Sequence, residues 1–333
     1  MIWVWIVFIA FILLMLVLDL SVFHRKAHVV SVREALAWSA VWVTMGLVFS
    51  VFVYFAYNHQ WFGLGAMADA VDGLVNDGAT AAGKYLTGYV IEKSLSVDNI
   101  FVFVVIFGAL GIPPIYQHRV LFWGILSALV MRGAMIAAGA ALISRFHWII
   151  YVFGAFLVLT GVKLLLARGT ASHPEKSAVF KFLRRIVPAS PHLDGNHVFT
   201  KANGRWLATP LFFALALIEV TDVIFAVDSI PAIFAVTSDP YIVFTSNVFA
   251  ILGLRSLYFL LASYVEKFTY LKPSLALVLM FVGAKMALVD VVKIHAAASL
   301  AVVLAILAIG ILASAIRNRR DAARAAAARS TGA

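Results

Sequence analysis

The sequence has no cysteine and few charged residues. Its 333 residues include 26 lysines and arginines and 16 aspartates and glutamates, so charged residues make up only 13% of the chain; about 25% is usual in soluble domains. Without cysteine the chain has no disulfide bond, no thiolate metal site and no Cys-x-x-Cys redox motif. Hydrophobic residues reach 63% and the mean hydropathy is +0.99, values typical of a polytopic membrane protein.

Long apolar runs predict an all-α membrane protein with about nine transmembrane helices. The predicted organisation is two N-terminal helices and an acidic surface loop (1–84), a three-helix repeat (85–167), a basic connector (168–206), a second three-helix repeat (207–292), a ninth helix (293–316) and a basic tail (317–333) that we expect to be disordered or surface-bound. The first apolar run has no basic start and no small-residue cleavage site, so we expect a retained helix rather than a signal peptide.

Three acidic residues lie in the apolar run of residues 218–231, namely Glu219, Asp222 and Asp228. A charged side chain at bilayer depth costs roughly 2.5 to 3.5 kcal/mol on insertion scales, so its presence indicates a function.

The same pattern occurs earlier in the chain. Glu92 and Asp98 are spaced like Asp222 and Asp228, and both copies end in Val-Asp-(Asn/Ser)-Ile. The match continues downstream, where two embedded arginines and two embedded lysines follow in the same order: Arg132 and Arg255, Lys163 and Lys285. An offset of roughly 120 to 130 residues relates helices three to five to helices six to eight. Because that shift is three helices, an odd number, the sequence predicts inverted repeats.

The distribution of basic residues predicts the orientation. With the N-terminus outside, eighteen loop and tail lysines and arginines lie on the cytoplasmic side and three on the other. The excess predicts a multi-pass protein of the cell membrane with a cytoplasmic C-terminus. The net charge of +10 therefore reports topology, and we expect no nucleic-acid partner.

The embedded oxygens predict a site for a hard divalent cation. Glu92, Ser96 and Asn99 form one helical stripe, Asp222 and Ser229 form the equivalent one, and we expect the two stripes to face each other. Asp98 and Asp228 lie roughly 100 to 120° away from these stripes, although Pro231 can free a carbonyl oxygen beside Asp228. Carboxylate, amide and hydroxyl oxygens suit manganese, magnesium or calcium. The predicted metal ligands are Glu92, Asp98, Asn99, Glu219, Asp222, Asp228 and Ser229, and the predicted charge-balancing residues are Arg132, Lys163, Arg255 and Lys285.

A purely structural interpretation remains open at this stage. The five embedded acids are matched by five embedded bases, which include Lys93 besides the four above, so the charges could be internal ion pairs that hold the helices together. The connector is also open to two interpretations. Its segment 179–186 has apolar residues at helical spacing with basic ones between them, which favours a short helix on an anionic membrane surface, but the connector could instead recruit cytoplasmic proteins.

The sequence resembles the TerC family of integral membrane proteins, and within it the Alx branch. The resemblance rests on LDL at 18–20, FHR at 23–25, GYVIEKSLSVDN at 88–99, EVTDVIFAVDSIPAIFAVT at 219–237 and SNVFAILGLR at 246–255, and it spans nearly the whole chain. It implies manganese efflux, with tellurium resistance and redox modulation as older associations of the family.

From residues and resemblance together we expect a transporter, not an enzyme, that exports Mn²⁺ by alternating access. It would require no cofactor, and its partners would be the manganese ion and membrane lipids; the sequence leaves a homo-oligomer open. Two other functions stay in view, a membrane scaffold or redox modulator without transport and, because of the embedded bases, a transporter of an oxyanion such as tellurite.

Overall fold

A computed structural model describes residues 2–18, 30–146, 148–166, 178–202, 204–262, 269–291 and 294–331. These residues form eleven α-helices and one antiparallel hairpin. The helices are α1 (Ile2–Leu18), α2 (Val32–Asn58), α3 (Gly78–Ala109), α4 (Pro114–Arg145), α5 (Ile149–Leu166), α6 (Ala178–Ile186), α7 (Pro210–Phe234), α8 (Pro240–Leu252), α9 (Leu254–Leu261), α10 (Leu271–Ala287) and α11 (Ala296–Thr331). The hairpin pairs β1 (Phe199–Ala202) with β2 (Arg205–Ala208) between α6 and α7.

The architecture is that of an all-α membrane protein. Within the described ranges, six helical segments are long and apolar enough to cross a membrane: α2, α4, α5, α7, the segment 240–261 that joins α8 to α9, and α11 as far as Asp321. α1 is apolar but has 17 residues. α3 and α10, two of the nine predicted spans, fall outside this set; α3 contains four charged residues and α10 has 17 residues, two of them lysines.

Several boundaries differ from the sequence-based predictions. α3 begins seven residues before the predicted position 85, because Asp77 caps it by accepting a hydrogen bond of 2.7 Å from the Thr80 backbone nitrogen. Of the two predictions for the tail, disordered or surface-bound, the structure contradicts disorder, since α11 continues through the tail as a helix to Thr331, in agreement with the high helix propensity of alanine and arginine. The hairpin in the connector was not predicted.

Helix α7 passes through Pro231 without interruption. Because proline has no backbone N–H, the carbonyl of Val227 lacks the helical hydrogen bond that it would otherwise accept. This agrees with the freed oxygen predicted beside Asp228. The helix ends one turn later, at Phe234, in a segment that is fully buried.

The centre of the molecule is built on α3 and α7. α3 packs against α2, α7, α8 and α11, and α7 packs against α4 and α5 as well. The most extensive contact is between α5 and α10, where two backbones touch at Gly154 and Gly283. A Cβ atom on Gly154 would lie 2.9 Å from the Gly283 oxygen, so only glycine fits at this crossing.

Candidate functional site

The polar stripes of α3 and α7 face each other inside the helix bundle. On α3, Glu92, Ser96 and Asn99 are at most 1% exposed, although they lie in the middle of an apolar helix. On α7, Asp222 is 7% exposed and Ser229 1%. Asn99 Nδ2 lies 3.5 Å from Asp222 Oδ1, which joins the two stripes. The structure thus buries all five residues in the helix bundle and brings Asn99 into contact with Asp222.

Arg132 of α4 links the two acidic residues that the predicted repeat relates. Its guanidinium donates twice to Asp222, from Nη2 to Oδ1 at 2.9 Å and from Nε to Oδ2 at 3.2 Å. Its Nη1 also donates to Glu92 Oε1. Arg132 is 2% exposed, so this is a buried ion network with two carboxylates and one guanidinium. With both acids ionised, the two carboxylates and the guanidinium have a net charge of minus one, and a negative charge favours the binding of a cation.

Asn247 of α8 completes this network and was not among the predicted site residues. Its Nδ2 donates to Glu92 Oε2 at 3.2 Å, and its Oδ1 accepts from Arg132 Nη1 at 3.4 Å. The side chain is 1% exposed. The sequence contained one indication of this role. Asn247 is an amide inside an apolar run, and a polar group that is buried in a membrane requires a hydrogen-bond partner.

Three buried oxygens of predicted metal ligands have no hydrogen-bond partner among the described residues. They are Asn99 Oδ1, Ser229 Oγ and Glu219 Oε2. A buried oxygen without a partner costs about 1 to 3 kcal/mol, so native proteins rarely retain it without a reason. Two of the three belong to the matching Asn/Ser position of the repeats. These are neutral oxygen donors of the kind that a hard cation prefers.

Glu219 occupies a separate position, one helical turn before Asp222. Its Oε1 is hydrogen-bonded to the hydroxyl of Ser127 on α4, and the residue is half-buried. Ser127 was not predicted to be part of the site. A cavity of about 10 Å³ beside these helices is lined by Asp222, Arg255 and apolar residues of α3, α4, α7 and α8. It provides room for about one water-sized species next to the Asp222 carboxylate.

Asp228 is directed elsewhere, in agreement with its predicted position off the stripe. It accepts a hydrogen bond of 3.3 Å from Thr160 Oγ1 of α5, and the charge of Lys163 acts on it. The structure therefore does not bring Asp228 together with Glu92 and Asp222. The side chain of Asp98, the remaining predicted ligand, lies outside the described part of the structure.

The other predicted charge-balancing residues have contacts outside the central ion network. Arg255 of α9 is 5% exposed, and its Nη1 lies 3.0 Å from His118 Nε2. Lys285 of α10 lies 3.4 Å from Ser299 Oγ of α11. Lys93, the fifth embedded base, donates to the Ala250 carbonyl at 3.0 Å. Of the four residues predicted to balance charge, Arg132 is the one that contacts Glu92 and Asp222.

The arrangement differs from a preformed acidic metal cage. Within the described residues, no group of three or more His, Cys, Asp or Glu side chains is arranged to hold a metal ion. The carboxylate of Asp222 contacts the Asn99 amide instead, and it pairs with the Arg132 guanidinium.

A second buried ion network lies at the other end of α3, in the loop of residues 59–77. This loop was predicted to be an acidic surface loop, but Asp69 is 3% exposed and pairs with Lys84, which is 2% exposed, at 2.8 Å. Asp69 also accepts from the Ser238 nitrogen at 2.9 Å and from the Thr237 hydroxyl. The surface-loop prediction is therefore wrong for this residue, because the loop folds back onto the connection between α7 and α8.

The surroundings of Asp69 favour its ionised form. Burial alone would raise the pKa of this carboxyl, but the nearby Lys84 ammonium and the hydrogen bonds from Lys84, Thr237 and Ser238 lower it to about 2. Lys84 is held in turn by Asp72 at 2.7 Å and by Asn76 Oδ1 at 2.7 Å.

Fold and site together define a polytopic α-helical membrane protein with a buried, net-acidic polar network between two central helices. The chain belongs to the TerC family: residues 77–322 match the family described as integral membrane protein TerC family. This confirms the resemblance found in the sequence. No solved structure matches the chain.

Curated relatives cover nearly the full length of the chain. An uncharacterized membrane protein of Myxococcus xanthus, STKORF319, is 57% identical over 95% of this chain and 92% of its own. A protein of Escherichia coli (strain K12) that carries the provisional name membrane-bound redox modulator Alx is 47% identical over 92% of both chains. An uncharacterized membrane protein of Rickettsia bellii is 42% identical over 94% of this chain and 97% of its own.

Proposed function

We propose that this protein exports a hard divalent cation through the buried site between α3 and α7, and that the cation is Mn²⁺. The observation that carries the proposal is the buried Asn99 Oδ1, which has no partner although its side chain contacts Asp222, in a network where one arginine pairs with two acids. The buried Ser229 hydroxyl of α7 also has no partner among the described residues. A cation bound there would satisfy these oxygens and the excess negative charge at once. Manganese, magnesium and calcium all accept such oxygen ligands; the family resemblance favours manganese among them.

The proposed transport cycle uses alternating access between two inverted repeats. The pattern of helix contacts supports this symmetry, because α3 packs on α8 as α7 packs on α4 when α3 is matched to α7 and α4 to α8. The glycine contacts support it too. Gly161 and Gly283 match in the repeats, as do Gly154 and Ala276, and each is 122 positions from its match. The contact between Gly154 and Gly283 therefore maps onto the contact between Ala276 and Gly161: a Cβ atom on Gly154 would lie 2.9 Å from the Gly283 oxygen, and one on Gly161 would lie 2.8 Å from the Ala276 oxygen.

Nine membrane-spanning helices and a cytoplasmic C-terminus belong to the same proposal. The excess of basic residues on one side supports the orientation. In this arrangement the Asp69 network lies on the outer side and α6 with its hairpin lies on the cytoplasmic side. Redox modulation, the role in the provisional name of the E. coli relative, would then be indirect, because this chain has no cysteine for thiol chemistry.

Transport into proteoliposomes tests the proposal. We expect wild-type protein to move Mn²⁺, and Asp222→Asn and Asp98→Asn variants to lose transport while remaining folded in the membrane, because each removes the charge of a predicted metal ligand. Thr160→Val is the matched control, since it removes a buried polar contact of Asp228 outside the central network. Normal Mn²⁺ flux in both carboxamide variants would refute the ion path and favour a scaffold.

A further inference from the structure

The cytoplasmic connector folds into a collar around the start of α7. The collar consists of α6 (Ala178–Ile186) and the hairpin β1–β2 (Phe199–Ala208). Two consecutive phenylalanines on the first turn of α7 hold its parts in place: Phe213 packs against Phe180 of α6 with ring centroids 5.7 Å apart, and Phe212 packs against Phe199 of the hairpin at 5.1 Å.

Backbone hydrogen bonds join the two parts of the collar to each other. The Ala208 nitrogen donates to the Pro188 carbonyl at 2.8 Å, and the Ser190 nitrogen donates to the Ala208 carbonyl at 2.8 Å. α6, the residues after it and the hairpin are therefore one unit attached to α7.

The attachment point fixes the depth of the collar in the membrane. α7 is one of the helices long and apolar enough to cross a bilayer, and it begins at Pro210. Its first turn consequently lies where the apolar core of the bilayer meets the headgroups. Since Phe212 and Phe213 of that turn contact the hairpin and α6, the collar lies at headgroup depth.

The free face of α6 combines apolar and basic side chains. Phe182 and Ile186 lie one turn apart and are 62% and 61% exposed, while the opposite side of the helix packs through Phe180 and Leu183. Among the exposed basic residues of the helix, Lys181 and Arg185 lie along one side of this apolar ridge, and the Arg184 guanidinium lies over the Phe180 ring, 5.8 Å from its centroid. A charged helix with an exposed apolar ridge is typical of an element that lies in the membrane interface.

One face of the hairpin also combines aromatic and basic side chains. The strand register places Phe199, Lys201 and Trp206 on the same side, with Lys201 directly opposite Trp206. Trp206 is 67% exposed and Phe199 46%. Tryptophan next to lysine is enriched where the apolar core of a bilayer meets the headgroups, because the ring is amphipathic and the ammonium reaches the phosphates.

The charge of the collar selects the kind of surface that it contacts. Residues 178–208 contain five lysines and arginines and a single acidic residue, Asp194. We propose that the collar is a docking site for anionic phospholipid headgroups, with Phe182, Ile186 and Trp206 inserted among the lipids and the basic residues on the phosphates. A cytoplasmic protein partner would use the same residues, but the depth set by α7 favours the lipid surface.

The absence of native cysteine allows a direct test. Single cysteines at Ile186→Cys and Trp206→Cys would be labelled with a fluorescent probe, and the protein would be placed in nanodiscs of phosphatidylcholine with or without phosphatidylglycerol. Leu159→Cys, at a 68% exposed position in the middle of α5, serves as the lipid-facing control, and Asn196→Cys, in the exposed turn before β1, serves as the water-facing control.

In anionic nanodiscs we expect spin-labelled lipids to quench the probes at 186 and 206 about as strongly as the probe at 159, and iodide to quench the probe at 196. Replacing Lys181, Arg184 and Arg185 by glutamine should raise the phosphatidylglycerol fraction needed for half-maximal quenching at 206 by roughly tenfold, since each basic residue contributes to binding an anionic surface. The matched control replaces Arg317, Arg319 and Arg320 of α11, which removes the same charge elsewhere and should leave quenching at 206 unchanged.

Iodide quenching at 186 and 206 with no response to spin-labelled lipid would overturn the proposal, because the collar would then face water. So would equal lipid quenching with and without phosphatidylglycerol, which would indicate insertion without headgroup recognition. Protection from both quenchers only when cell extract is added would identify the face as a protein-docking surface instead.

Discussion

The molecule contains two buried ion networks that use the same kinds of groups in different ways. At one end of α3, Asp69 and Lys84 satisfy each other, and hydrogen bonds from neighbouring loops occupy both carboxylate oxygens of Asp69. In the middle of the bundle, Arg132 also pairs with carboxylates, but the oxygen of Asn99, which contacts Asp222, and the Ser229 hydroxyl of α7 have no partner in the described residues.

The difference separates a structural role from a binding role. A fully satisfied network fixes the loop 59–77 onto the start of α8 and leaves no capacity for a ligand. A partly satisfied network carries an energetic cost that a bound ion can relieve. Burial of charge is therefore a weak indication of a site, and the count of unsatisfied oxygens is the stronger one. Four changes should sharpen this comparison, in decreasing order of effect.

Removing Arg132 should produce the largest loss. Arg132→Leu leaves Glu92 and Asp222 without their common cation, and breaking a buried ion pair from one side costs about 3 to 5 kcal/mol. We expect little folded protein in detergent unfolding measurements, with partial recovery in the double variant Arg132→Leu/Asp222→Leu, which removes two opposite charges. Equal stability of the single variant and the wild type would show that the central network contributes nothing to folding.

Asp69→Asn should destabilise the protein by about 2 to 4 kcal/mol, because it leaves Lys84 buried with less opposing charge. Folded protein that is recovered should still transport Mn²⁺ at the wild-type rate, since the proposed ion site is elsewhere. The measurements are the free energy of unfolding in mixed micelles and the flux per folded molecule. A loss of flux greater than the loss of folded protein would place Asp69 on the transport path and contradict the contrast between the networks.

The lowered pKa of Asp69 predicts that the stability of the protein depends on pH. The pKa of this carboxyl is lowered from 3.8 to about 2, so its contribution is present above about pH 4 and is lost as the pH falls from about 4 to about 2. The shift corresponds to about 2 kcal/mol. Unfolding measured across this window should therefore show a steeper acid loss for wild type than for Asp69→Asn. Parallel acid profiles for the two proteins would refute the assignment.

Much of this organisation could be predicted from sequence, because apolar runs and embedded charges are visible in one dimension. The facing stripes of Glu92, Asn99 and Asp222 followed from helical periodicity, and Arg132 from its place in the repeat. The burial of Asp69 could not be predicted, because it depends on the loop returning to Thr237 and Ser238, about 170 positions later in the chain. Asn247 was missed for a related reason: periodicity places a residue on a face of a helix but does not identify the helix opposite.

The smallest change in stability should accompany a large change in transport. Ser229→Ala removes a buried hydroxyl that has no partner in the described structure, so the folded protein should be unchanged or more stable by about 1 kcal/mol. If that oxygen is a ligand, Mn²⁺ flux at low metal concentration should fall about tenfold, as expected for the loss of roughly 1.4 kcal/mol of ion binding.

Ser246→Ala is the control for this last change, since it removes an equally buried hydroxyl that is satisfied by donating to the Val243 carbonyl at 3.1 Å. That variant should keep its flux at low metal concentration, so the two serines differ in transport although both are buried in the same bundle. A fall in flux for both serines would attribute the effect to packing. Unchanged flux in Ser229→Ala would show that this hydroxyl is not a ligand of the ion, and that no bound ion offsets the free-energy cost of burying it.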